Sequence, residues 1–302
     1  VAHGVLARYL DSQALDRISR QRWEPRGLVQ GNLAGGHRSS LSGFAVEFVG
    51  HRQYVWGDDP KHIDWRVYFN RDRLVVKQYA METNLVCHFV LDASASMRYG
   101  EGDQQKLLYA SRLAITLAYF ILGQGDKVSL AVFDDQLRRV IPPSSSPAQL
   151  VRMSNYLDSL EPREKTHVGP ALTELGKHFQ RREIVVVLSD FLCDLADLET
   201  AIQEWRYRRH EVVLMQVLHH DELAFDFHGP IKFVGLELLQ ELLTRPDELR
   251  SAYLCALGDF QEQLVTACRR NSTEYLLVDT SRSPADVLAD YLMQRSRTPR
   301  VP

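Results

Sequence analysis

From residue 85 onward, short and nearly unbroken apolar runs alternate with stretches whose apolar residues recur every three or four positions. That alternation predicts strands buried on both faces and joined by amphipathic helices, an α/β domain with a mostly parallel central sheet flanked by helices. The predicted strands are 85–91, 127–133, 184–188, 211–218 and 275–278, and the predicted helices are 104–122, 147–160, 170–181, 195–208, 249–271 and 284–294. Residues 136–141 follow the second strand too closely for a crossover helix, so they read as an antiparallel edge strand that Pro142 and Pro143 end. Residues 219–250 lack a regular period and read as an insertion in a connection.

The first 84 residues have a different texture. A helix is predicted over 6–18, a glycine-rich stretch without periodicity over 31–43, and strands over 44–49 and 74–79. The chain therefore divides into a smaller, partly β N-terminal segment, 1–84, and an α/β domain, 85–302, with an insertion near 219–250. Composition agrees: 302 residues with 45% hydrophobic and 25% charged positions suit a large domain with a companion. A net charge of −3 supplies no bulk field for nucleic acid or a membrane surface. No window approaches the roughly 18 consecutive apolar residues of a spanning helix, so neither a nucleic-acid partner nor a membrane span is expected. Cys87, Cys193, Cys255 and Cys268 are widely spaced and form no C-x-x-C pair, which fits a reduced, cytoplasmic setting.

The chemistry lies where the carboxylates fall. Asp92 and Asp190 each end a strongly apolar run, which places both at the C-terminal edge of the sheet, where ligands bind in open α/β folds. Asp92-Ala93-Ser94-Ala95-Ser96 carries three oxygen side chains at alternate positions, so a curled loop can aim all three at one point. Hydroxyls and carboxylates without imidazole or thiolate make a hard oxygen site suited to Mg²⁺ or Mn²⁺. Thr166, in a polar loop ahead of a helix, can add a third hydroxyl. Asp92 and Ser94 equally suit the capping of the following helix, and their spacing leaves both readings open.

Taken together, Asp92, Ser94, Ser96, Thr166 and Asp190 give the chain a pattern that resembles the von Willebrand factor type A fold and its metal-ion-dependent adhesion site. The resemblance implies a Rossmann-like domain in which these five residues hold a divalent cation with one position open to a partner's carboxylate. Relatives often have Asp after the Thr, where this chain has His167. Gly35-Gly36-His37-Arg38-Ser39, Arg52-Gln53-Tyr54, Gly57-Asp58-Asp59, Ile63-Asp64-Trp65, Gly125-Asp126-Lys127-Val128 and Leu188-Ser189-Asp190-Phe191 narrow it to the bacterial domain-of-unknown-function 58 family, over nearly the whole chain. That resemblance implies a non-catalytic adaptor or assembly partner of a MoxR-type AAA+ ATPase, binding a protein that presents an acidic residue.

Residues 57–73 mix Asp58, Asp59, Asp64 and Asp72 with Lys61, Arg66, Arg71 and Arg73 around Trp65. Asp58, Asp59, Asp64, Trp65 and Arg66 are the candidate partner-binding residues there; an internal salt-bridge network that docks the segment is the competing reading. His219-His220-Asp221-Glu222 lacks a further ligand pair and makes a poor transition-metal site, since adjacent side chains on an extended chain point apart. Two other classes stay open: a Mg²⁺-dependent phosphotransferase or phosphatase using Asp92 as nucleophile, and a scaffold whose metal site has decayed. Against the former, no second Asp follows Asp92 by two residues and no G-x-S-x-G elbow is present.

Overall fold

The computed structural model of the protein describes residues 2–19, 21, 23, 46–81, 85–160, 168–180, 182–229, 231–235 and 241–297. They form two compact units, Val1–Gly27 with Leu85–Pro302, and Leu28–Asn84.

Two helices, α1 (Ala2–Tyr9) and α2 (Ser12–Ile18), replace the single one predicted over 6–18. Asp11 is the cause: its backbone is extended and its carboxylate accepts from the Ala14 amide at 3.0 Å, which starts a new helix. Ala14, Ile18 and Trp23 are buried. The Trp23 ring sits 5.5 Å from that of Tyr291 and 4.6 Å below the Arg295 guanidinium, both from the far end of the chain. Residues 1–27 therefore belong to the large unit, which corrects the grouping of 1–84 as one segment.

The small unit pairs β1 (Val46–Gln53) antiparallel with β2 (Val75–Met81) and carries α3 (Trp65–Arg71) between them. The predicted strands 44–49 and 74–79 overlap these; the glycine-rich stretch 31–43 lies outside the described residues.

The large unit continues with β3 (Val86–Asp92), α4 (Lys106–Gly123), β4 (Lys127–Phe133), β5 (Leu137–Ser144), α5 (Ala148–Asp158), α6 (Val168–Gly176), β6 (Ile184–Ser189) and α7 (Leu195–Tyr207). It ends with β7 (Glu211–Leu218), α8 (His220–Ala224), β8 (Ile231–Val234), β9 (Glu241–Thr244), α9 (Pro246–Arg270), β10 (Glu274–Asp279) and α10 (Pro284–Arg297). Six strands make the central sheet in the order β10-β7-β6-β3-β4-β5, parallel throughout except for the antiparallel edge strand β5. Every residue of β6 and β7 is buried, as their mostly Val, Ile and Leu content requires, with Ser189, Glu211 and Gln216 the buried polar exceptions. On one face Val90, Val185, Val187 and Leu214 meet Leu172, Leu175, Ile202, Trp205 and Leu264 of α6, α7 and α9. On the other, α4 packs beside α1, α2, α5 and α10. α4 is long and apolar enough to cross a membrane by composition, but most of it is buried in this layer.

One further expectation is corrected, the end of β5, and the elaborated connection at 219–250 gains its detail. β5 continues through Pro142 and Pro143, because the pairing with β4 shifts register there and the bulge, with the open side of an edge strand, spares both missing amide donors. Gln149 Nε2 donates to the Pro142 carbonyl at 2.7 Å and fixes that end. The insertion holds local order: α8, then an antiparallel β8-β9 hairpin, with Phe225 stacked 4.4 Å from Tyr253 of α9.

Candidate metal centre

The chain fills β4 and β5 on one side of β3 and then returns to place β6 on the other. The C-terminal ends of β3 and β6 thus flank the topological switch point, where an open parallel sheet leaves a crevice. Leu91 is paired with Leu188, so Asp92 and Ser189 occupy the next rung of the two strands. The Ser189 hydroxyl donates to Asp92 Oδ2 at 2.6 Å, and the Ser94 amide donates to Oδ1 at 2.9 Å. Asp92 is fully buried. Burial, and then the neighbouring charge of Asp190, push its carboxyl well above the usual carboxylate range against the hydrogen bonds from Ser189 and Ser94.

The loop that follows bears on the capping use of Ser94. A single 3₁₀ turn, Ala95–Arg98, begins there, and the Ser94 hydroxyl makes no capping bond to it. It lies instead 3.0 Å from the Ser96 hydroxyl, and it also bears on the Asp92 carboxylate. The spacing has therefore brought Asp92, Ser94 and Ser96 together. Asp190, buried just beyond β6, accepts from the Leu192 amide at Oδ1 (3.2 Å), while Gln216 Nε2 holds its backbone carbonyl at 2.8 Å. Phe191 turns the chain here with φ of 55°, a left-handed conformation that a bulky side chain rarely takes. Thr166 and His167 lie outside the described residues.

Two residues of this centre carry no motif. Lys106, the first residue of α4, has a fully buried side chain whose Nζ donates to Asp190 Oδ2 at 2.9 Å and to Glu222 Oε1 at 3.0 Å. Burial opposes its charge, but the two carboxylates outweigh that and raise its pKa. Glu222 also accepts from the His219 amide at 2.8 Å, while His219 Nδ1 accepts from the Asp221 amide, a reciprocal cap on α8. His220 turns away to Asp279 at 3.0 Å. The histidine pair is thus occupied by capping and pairing. The sequence signal for Lys106 is a lone cation in the first turn of a helix that has no acid there, where the helix dipole disfavours it.

Among the described residues, no three His, Cys, Asp or Glu side chains cluster as a metal site. What converges at the switch point is a hard set of carboxylate and hydroxyl oxygens. Among the same residues, Asp92 has hydroxyl and amide donors within reach but no side-chain cation hydrogen-bonded to it. That donor set fits Mg²⁺ or Mn²⁺, which Asp92, Ser94 and Ser96 would hold, with Asp190 behind them.

In the small unit the acids of 57–73 serve the local fold. Asp58 accepts from Arg52 Nη2 at 2.9 and 3.0 Å and from the Val55 amide at 2.9 Å, and the Arg52 bond holds its carboxyl below the usual range. Asp59 caps a 3₁₀ turn at Pro60–His62. Asp64 caps α3 and meets His51 Nε2 at 2.8 Å, which likewise lowers its pKa. Trp65 and Arg66 are exposed, as are Trp56 and Phe69 nearby.

Strand order, one antiparallel edge and a D-x-S-x-S loop at the switch point define a von Willebrand factor type A-like α/β domain. The chain belongs to the family described as protein of unknown function DUF58, which it matches over residues 50–262. It is 24% identical over 269 residues to the uncharacterized protein Rv1480 of Mycobacterium tuberculosis, covering 87% of this chain and 82% of that one. It is also similar to BatB from Bacteroides thetaiotaomicron (18% identity, TM-score 0.46, 71% of this chain and 100% of that one). A third likeness is to the SpRpn10 VWA domain (13%, TM-score 0.40, 73% and 99%).

Proposed function

We propose that the protein is a non-catalytic binding module that holds Mg²⁺ or Mn²⁺ on Asp92, Ser94 and Ser96, with Thr166 and Asp190 completing the set, and offers the cation to a carboxylate of a partner protein. The observation that carries this reading is Asp92 itself: a fully buried carboxylate beside a second one, hydrogen-bonded to no side-chain cation among the described residues, at the mouth of the sheet. Such a group calls for a cation, and a cation with few charged ligands stays electrophilic toward an incoming carboxylate. The partner we favour is a MoxR-type AAA+ ATPase, on the family resemblance, in a cytoplasmic setting that suits four free cysteines. Trp65 and Arg66, with the loop acids Asp58, Asp59 and Asp64 around them, would form a second contact surface.

The test is co-sedimentation of the purified protein with a purified MoxR-type ATPase, in Mg²⁺ and in EDTA, with Asp92→Ala beside the wild type. We expect binding in Mg²⁺ that EDTA and Asp92→Ala each reduce at least tenfold. Equal binding in all arms overturns the reading. Metal-dependent hydrolysis of a phosphomonoester that disappears in Asp92→Asn would replace it with phosphotransfer.

A further inference from the structure

The centre contains a cation of its own. Lys106 Nζ is buried between Asp190 Oδ2 at 2.9 Å and Glu222 Oε1 at 3.0 Å, and among the described residues no other basic side chain is hydrogen-bonded to either carboxylate. It is the first residue of α4, so the ammonium sits at the positive end of a helix dipole, a position that is unfavourable unless neighbouring acids demand it. Both do. Asp190 stands on the loop leaving β6, and Glu222 on α8 beyond β7, so one ammonium ties together the ends of two strands and the start of a helix.

We infer that Lys106 is a tethered counter-cation that occupies Asp190 and opposes a divalent ion at the Asp92–Ser94–Ser96 oxygens, setting how tightly that ion is held. With its carboxylates ionised, the group of Asp92, Asp190 and Glu222 bears three negative charges, and Lys106 reduces them to the two that one divalent ion neutralises. Asp190 Oδ2 is committed to the ammonium, whereas Asp92 is bonded to an amide and a hydroxyl and, among the described residues, to no side-chain cation, so Asp92 is the carboxylate of this group placed to bind the ion directly. The ion then remains electron-poor on its open side, which is the property that attracts a partner's carboxylate. Lys106 is in this sense a positioning residue: it acts on the ion through Asp190 and through its charge.

This inference rests on the cation-binding reading above, and the experiment separates the two. Mn²⁺ binding is measured by isothermal titration and by the loss of the free-ion paramagnetic signal, on the full chain, for wild type, Lys106→Met and Glu222→Gln. Met keeps the length of the side chain and removes the charge. Lys106→Met should bind Mn²⁺ at least about tenfold more tightly, because the full positive charge that neutralises Asp190, the carboxylate beside Asp92, is removed. Its melting temperature should fall in EDTA and recover with Mn²⁺ by more than the wild type gains. Glu222→Gln, which leaves the ammonium less compensated, should bind about tenfold more weakly.

A merely structural lysine predicts the opposite for the first variant, since loosening Asp190 would weaken binding. If the wild type binds Mn²⁺ and Lys106→Met binds equally or less well, the inference fails and the cation-binding reading stands. Binding by Lys106→Met alone supports the inference and removes the cation from the wild-type function. Absence of binding in all three proteins overturns both. Should Lys106→Met fail to fold, Glu222→Gln decides: wild-type or tighter affinity in that variant overturns the inference.

Discussion

At the scale of single residues, Asp92 is where stability and the proposed function oppose each other. Its folded-state pKa is raised, first by burial and then by Asp190. A raised carboxylate pKa means that the folded protein prefers the protonated form, so the ionised group lowers stability progressively as pH rises above the unfolded-state value near 3.8. Asp92→Asn removes the charge. It keeps an oxygen for the Ser94 amide, and its new amide can donate to the Ser189 hydroxyl. In EDTA at neutral pH, this variant should be more stable than wild type by on the order of 1 kcal/mol or more. The gain should shrink as the pH is lowered toward 4. Urea unfolding of both proteins between pH 4 and pH 8 checks the sign, and a variant less stable than wild type at pH 8 would show that the Asp92 charge is already neutralised by something else. The same variant should lose any Mg²⁺-dependent stabilisation, because a neutral amide replaces the carboxylate left free to ligate.

At the scale of elements, what was legible in the sequence follows from how each element is stabilised. The strands β3, β4, β6 and β7 are readable because burial on both faces demands continuous apolar runs. The Asp92–Ser94–Ser96 loop and Asp190 are readable because each sits at a fixed offset from such a run. The pairing of Lys106 with Glu222 is not, since it spans 116 residues and its one local sign is a lysine in the acid-free first turn of α4. The break between α1 and α2 depends on one backbone conformation at Asp11, and the prolines of β5 mislead because only topology reveals an edge. α6 shows a similar limit: it is predicted to reach 181 but ends at Gly176, where a Cβ would lie 2.5 Å from Trp205 Nε1. The glycine lets α6 approach α7 closely, and Trp205 is fully buried there, its indole nitrogen without a hydrogen-bond partner among the described residues. Gly176→Ala should therefore cost about 1–3 kcal/mol through overpacking. Adding Trp205→Phe, which removes the clashing nitrogen, should return part of that loss in a double-mutant cycle of thermal unfolding. Strict additivity of the two substitutions would place the cost elsewhere.

For the whole molecule, the main consequence is where the large unit begins. Reading residues 1–84 as one companion predicts that a chain starting at residue 85 keeps the full stability of the α/β domain. The structure implies otherwise, because Val1–Gly27 clusters with Leu85–Pro302. Arg8 pairs with Asp158 on α5 at 2.8 Å, Arg17 pairs with Asp286 on α10, and the Arg112 Nε donates to the Arg8 carbonyl at 3.0 Å. These exposed contacts add little by themselves. Apolar burial contributes more: Ile18 and Trp23 are buried, and with Trp23 goes the cover it gives to Tyr291. At about 1.5–3 kcal/mol for each large side chain taken out of water, these two alone amount to roughly 3–6 kcal/mol. That is a sizeable share of the roughly 5–15 kcal/mol by which a domain is stable. Residues 85–302 alone should therefore melt well below the full chain or fail to fold, whereas residues 1–27 joined through a short flexible linker to 85–302 should recover most of the difference. Thermal unfolding of the three proteins is the measurement; equal melting temperatures for 85–302 with and without 1–27 would return the N-terminal helices to the companion. The organisation also bears on the centre at the sheet edge. α4 begins with Lys106, and further along it Arg112 donates to the Arg8 carbonyl and Thr116 accepts from the Asp11 amide, so the helix that presents the ammonium to Asp190 is also the one on which α1 and α2 rest.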